Sequence, residues 1–172
     1  MLLWHMGVAV AIMYVTIGRR RVDYRYVLLG AILPDVVDGG LHLVGVYDGP
    51  AGRWIAHSLL AALVIAVVIL LGFRAERRTA VFGTFVGWLL HLVGDGMWSA
   101  PETFLWPAFG TDFATEPREP YSWDLLTDPL AHLGTWGGEI VGLLILLWFL
   151  VAFSLAEPAR RRRFLKDGAL RA

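Results

Sequence analysis

WIAHSLLAALVIAVVILLGF, residues 54–73, decides the architecture. It supplies the roughly twenty apolar residues that a helix needs to cross a hydrocarbon core, and its only polar side chains, His57 and Ser58, lie near one end. A second run, IVGLLILLWFLVAFSLA at 140–156, is nearly as apolar. Residues 2–18 form a shorter one, followed by Arg19, Arg20 and Arg21. A secretory signal carries its basic residues before the apolar stretch, so this segment reads as a retained first helix. Residues 80–98 are apolar apart from His91 and Asp95, and residues 26–46 are interrupted by Pro34, Asp35 and Asp38. That last segment reads as a helix broken at Pro34, which proteins accept where the backbone is buried. The expected fold is all-α: a polytopic membrane bundle of about five transmembrane helices in a single integral domain spanning 1–172.

Composition agrees. The chain is 57% hydrophobic with 17% charged residues, and its mean hydropathy is +0.60, too apolar for disorder or an ordinary soluble domain. Fifteen basic residues balance fifteen acidic ones, so the basic excess of a nucleic-acid binder is missing and no nucleic-acid partner is expected. Without cysteine there are no disulfides, thiolate metal sites or cysteine nucleophiles.

The charges are segregated along the chain. Thirteen of the fifteen basic residues fall at 19–25, 74–78 and 160–171, leaving only Arg53 and Arg118 on the other connections. The positive-inside rule then places the N-terminus outside and the C-terminus inside a bacterial cytoplasmic membrane, with five spans. The basic tail at 157–172 reads as an anchor to anionic lipid, making membrane lipids the expected partners. The long connection at 99–138 faces outward, rich in acids, prolines and aromatics. A loop of that length in a compact protein is commonly a lid or binding loop.

Three carboxylates, Asp35, Asp38 and Asp95, remain inside the spans. Left ionised there, they demand compensation on the order of 8–10 kcal/mol. No Lys or Arg lies within a span; the available partners are His5, His57 and His91, with His42 further out. Carboxylates and imidazoles without cationic side chains between them form the ligand set of a hard-to-borderline divalent cation. His91 and Asp95 are an i,i+4 pair on one helix face. In the charge-derived orientation, His5, His57, His91 and Asp95 lie roughly 5–10 Å below the outer boundary, and Asp35 and Asp38 somewhat deeper. Each residue also has a plainer reading: Asp35 as the cap of a kinked helix, His57 as a buried histidine bonded to a carbonyl, His42 and His132 as interfacial groups. The glycines of GTFVG at 83–87 read as close helix packing.

The ordered motifs HMG at 5–7, GAILPD at 30–35, RWIAHS at 53–58, GWLLHLVGD at 87–95 and LWP at 105–107 together resemble the YdjM-like membrane-bound metal-dependent hydrolases of bacteria. That family is in turn distantly similar to the zinc-dependent phospholipase C and single-strand nuclease superfamily. The resemblance implies that His5, Asp35, His57, His91 and Asp95 ligate one or two divalent metals, with zinc the expected ion. Asp38 lies nearby as a further ligand candidate. Two positions depart from the family pattern: Gly52 stands where a histidine is usual before the arginine, and Val37 where a second aspartate is usual.

The leading expectation is a hydrolase acting on a phosphoester or on a lipid or lipid-linked substrate at the outer face. Asp35 and Asp95 would bridge metal or accept a proton, and Arg53 would stabilise substrate charge. The alternatives are a non-catalytic scaffold with a structural metal site, or a transporter. A transporter is disfavoured because nothing ionisable occupies the inner halves of the spans. A lipid phosphatase fits less well, since it calls for clustered Arg and Lys.

Overall fold

Two capping side chains set where the chain becomes helical. Asp23 accepts from the Arg25 backbone N–H and starts one helix; Ser58 accepts from Ala61 N–H and starts another. Each supplies an acceptor to a donor that the first helical turn cannot satisfy. The computed structural model describes residues 1–18, 22–46, 53–113 and 132–168. Among these it is all-helical: α1 (Leu2–Thr16), α2 (Tyr24–Leu43), α3 (Leu59–Gly72), α4 (Ala75–Gly94), a short α5 (Pro101–Phe104), α6 (Leu133–Ala152) and α7 (Pro158–Asp167). Single 3-10 turns at Ile55–His57 and Met97–Ser99 precede α3 and follow α4. Arg19, Arg20, Arg21, Gly52, Arg118 and residues 114–131 of the long connection lie outside the described residues, as do the last four of the tail.

The most extensive helix pair is α2 with α4. The two run in the same direction, because Gly83 faces Asp23, Tyr26 and Val27 while Gly87 faces Val27, Gly30 and Ala31. A Cβ at Gly30 would strike the Thr84 carbonyl, and one at Gly87 the Val27 carbonyl. Backbones thus meet directly, as small residues allow in membrane helices. Helices α1 and α6 cross in the same way, Gly7 against Gly142, with Tyr14 further along α1 against Phe149 and Phe153. Apolar packing divides into two groups. One holds Ala9, Val10, Met13, Tyr24, Val27, Ala31, Phe149 and Phe153; the other, towards the opposite end, holds Ala56, Ala62, Trp88, Leu92 and Met97.

Helix boundaries bear on two expectations. Among the described residues, only α2 and α6, twenty residues each, are long and apolar enough to cross a membrane by length and composition, so helix length alone does not establish five spans. Ser58 begins α3 late, because Ile55–His57 is spent on a 3-10 turn, and fourteen residues remain. At 1.5 Å per residue that is about 21 Å, short of the roughly 30 Å of hydrocarbon. Nor is the second helix broken: α2 runs through Pro34, which is buried inside it. A proline costs a helix the bond to the carbonyl four residues back; that carbonyl belongs to Gly30, where α2 is pressed against α4.

The exterior suits lipid. Leu63, Val64, Val67, Val68 and Leu71 on α3, and Leu144, Leu147, Trp148 and Val151 on α6, are exposed. Continuous apolar strips of this size are not left facing water by monomeric soluble proteins. The glycine crossing yields a direct test. Gly87→Val should push α2 from α4 and lower stability by about 1–3 kcal/mol or more, read by reversible denaturation in detergent. Gly39→Ala, where nothing lies within 4 Å of the added carbon, should leave stability unchanged or slightly raised.

Candidate metal centre

The end of α4, the second half of α2, the start of α1 and the turn before α3 converge, and each brings one or two polar side chains. His57, on the turn, and His91, on the last turn of α4, are fully buried. His57 Nδ1 lies 2.7 Å from Asp38 Oδ2, and His91 Nδ1 lies 2.8 Å from the Ala31 carbonyl. Both partners accept, so both Nδ1 atoms carry a proton, and in the neutral rings both Nε2 atoms present a lone pair. Those two Nε2 atoms face each other at 3.2 Å.

Asp35 closes a triangle. Its Oδ1 stands 3.5 Å from His57 Nε2 and 3.6 Å from His91 Nε2. Asp95 Oδ2 lies 3.6 Å from His57 Nε2, and Asp95 Oδ1 3.2 Å from His5 Nε2. Four donors around zinc at about 2.1 Å stand roughly 3.4 Å apart at the corners of a tetrahedron. The observed separations of 3.2 to 3.6 Å fit that figure. Two donor sets within 4.8 Å of one another share His91: His5, Asp35 and His91, and His57, His91 and Asp95. The residues therefore fit a divalent cation.

His5 is less prepared than the other two imidazoles. Its ring lies against His91 with centroids 3.9 Å apart and planes tilted by 31°, but its buried Nδ1 has no hydrogen-bond partner among the described residues. Its other nitrogen, Nε2, stands 3.2 Å from Asp95 Oδ1, a carboxylate oxygen to which an Nε2–H can donate. Gly94 keeps this ring in place by absence, since a Cβ there would stand 3.0 Å from His5 Nδ1.

Two residues take positions that the sequence did not disclose. Asp38 is 1% exposed, and its oxygens are engaged by Trp54 N–H at 2.7 Å, Ala56 N–H at 2.9 Å and His57 Nδ1. It lies behind His57, with its oxygens engaged by the turn and by the ring's far side. Arg53 donates Nε to Asp95 Oδ2 at 2.9 Å and Nη2 to the Asp95 carbonyl at 2.6 Å. The expectation that the carboxylates lack a cationic side chain is therefore corrected for Asp95: an arginine outside the spans reaches it. The turn itself is braced by Trp88, whose Nε1–H donates to the Ala56 carbonyl at 2.9 Å.

Glu139 was missed as a structural group. It accepts the Leu3 backbone N–H at 2.9 Å, satisfying a donor at the start of α1, where negative charge also suits the helix dipole. The only clue in the sequence was one acid at the head of an otherwise uncharged apolar run. His42 and His132 fall at the end of α2 and just before α6, apart from the cluster.

A helical protein with an apolar exterior and a buried histidine–aspartate cluster at one end of its bundle defines a class of membrane protein carrying a candidate metal centre. Residues 3–163 match the family described as YdjM inner membrane protein, and the chain belongs to it. No curated protein and no solved structure matches the chain.

The buried Asp38 gives the centre a specific test. Asp38→Asn should leave helical content intact by circular dichroism yet weaken zinc binding about 10–100-fold, measured by competition against a chelating dye. Unchanged affinity would show that His57 needs no such orientation.

Proposed function

We propose that this chain is a metal-dependent hydrolase embedded in the inner membrane, with its site at the extracytoplasmic end of the bundle. The observation that carries the reading is the triangle of His57 Nε2, His91 Nε2 and Asp35 Oδ1, with sides of 3.2 to 3.6 Å. Three acceptors converging at these separations suit a bound cation. In this reading α1, α2, α3, α4 and α6 each serve as a membrane segment, five in all with the N-terminus outside. The segregated arginines support that topology.

When bound, a divalent ion supplies Lewis acidity and lowers the pKa of a coordinated water towards neutrality. His57 and His91, each bonded from behind at Nδ1, would hold it through Nε2. Asp35 is the open member of the cluster, its side chain 29% exposed against 0% for the two histidines and 9% for Asp95. In this reading water and substrate would arrive on its side, and Asp35 would take a proton from the attacking water. Asp95 contributes an oxygen while Arg53 braces it, and the guanidinium adds positive charge near a phosphoester. Exposed Leu2, Val36, Trp98 and Phe109, neighbours in sequence of the site residues or part of the 99–138 connection, support a lipid or lipid-linked substrate.

The Arg53–Asp95 pair favours a second reading. It compensates one carboxylate without any metal, as a scaffold held by a polar network or by a structural ion requires. Turnover separates the two. The purified protein should hydrolyse a chromogenic phosphodiester or a phospholipid, lose that activity on chelation and regain it with zinc, while His91→Ala falls to background. Absent or chelator-insensitive turnover on every phosphoester tried would favour the scaffold.

A further inference from the structure

The end of the bundle away from the metal cluster carries a second feature, helix α7, whose arginines take no part in the chemistry above. It is fastened, not trailing. Tyr24 N–H donates to the Gly168 carbonyl at 3.0 Å, and Arg25 Nη1 donates to the Leu165 carbonyl at 2.6 Å. The same guanidinium grips both oxygens of Asp23, at 2.9 and 2.6 Å. Phe164 packs against the apolar group formed by Ala9, Val10, Met13, Tyr24, Phe149 and Phe153. Gly168 closes the clasp with φ +67°, and a Cβ there would run into the Asp23 carboxylate. Only glycine suits both demands.

With the helix so held, Arg161, Arg162, Arg163 and Lys166 are exposed, and so is Leu165 at 62%. Nearby acids are partly spent: Asp23 on Arg25, and Glu157 on Arg160 at 3.4 Å. Arg74 and Arg77, exposed at the start of α4, belong to this same end. Only residues 153–157 separate α7 from the apolar α6. That short link keeps the basic side chains close to the headgroup plane, where screening over about 8–10 Å leaves their attraction effective.

We propose that α7 is a fixed basic shelf that binds anionic phospholipid headgroups on the side of the membrane opposite the metal cluster. Four to eight basic residues directly beside a membrane helix are the pattern that anionic headgroups attract. The exposed Leu165 between Arg163 and Lys166 favours a lipid surface, which accepts an apolar side chain, over an acidic protein or nucleic acid.

The test uses the full chain in mixed micelles of phosphatidylglycerol or phosphatidylcholine. Phosphatidylglycerol should raise the thermal midpoint of the wild type above that in phosphatidylcholine, and high salt should remove the difference. The combined Arg160→Gln, Arg161→Gln, Arg162→Gln and Arg163→Gln variant should weaken the apparent affinity for phosphatidylglycerol at least about tenfold, while Arg→Lys at the same four positions retains it. Gly168→Val keeps every charge and releases the clasp, so it should reduce the response. A Gln variant that responds like wild type overturns the proposal, as does an equal shift from poly-glutamate or duplex RNA. An undiminished Gly168→Val response overturns the fixed shelf. None of these readouts depends on metal or turnover.

Discussion

Everything at the functional end of this protein depends on two imidazole nitrogens held 3.2 Å apart. Each histidine is committed on its far side, His57 to a buried carboxylate and His91 to a main-chain carbonyl. Neither ring can escape by changing tautomer without abandoning a buried hydrogen bond, which costs about 1–3 kcal/mol. The facing lone pairs, joined by an aspartate oxygen, therefore define a place of concentrated negative potential inside an apolar bundle. Positive charge nearby offsets that potential: Arg53 at Asp95, the N-terminal ammonium 4.0 Å from Asp35 Oδ2 and, in the proposed reading, a bound cation.

The backbone makes that arrangement affordable. His91 reaches the Ala31 carbonyl because Gly87 and Gly30 let α4 lie directly on α2. A bulkier residue at either crossing would lift His91 from its acceptor and separate it from Asp35. The turn Ile55–His57 performs the matching task for His57: it folds two main-chain N–H groups onto Asp38 and points the ring inward. The shortening of α3 follows from the same turn. Part of an apolar run long enough to span the membrane has been diverted into building the site.

Much of this was legible in the residues, and what was not has a physical reason. Apolar runs and arginine placement revealed a helical membrane protein because lipid penalises charge and unpaired backbone so strongly. The spacing of His91 and Asp95 marked one helix face. Asp38 could not be distinguished from a ligand, since its role depends on a turn sixteen to eighteen residues later in sequence. Arg53 was placed near substrate, but its grip on Asp95 across forty-two residues left no trace in any local pattern. Pro34 reads as a break or kink because proline usually makes one, yet α2 continues through it, one turn beyond the close contact of Gly30 with α4.

The most direct measurement is X-ray absorption at the zinc edge of the purified, zinc-loaded protein, compared with the His57→Ala and His91→Ala variants. The account predicts tightly held metal with only nitrogen and oxygen donors at about 2.0–2.1 Å, and imidazole scattering that weakens as either histidine is removed. A wild-type protein that retains no metal, or a spectrum unchanged in both variants, would contradict it.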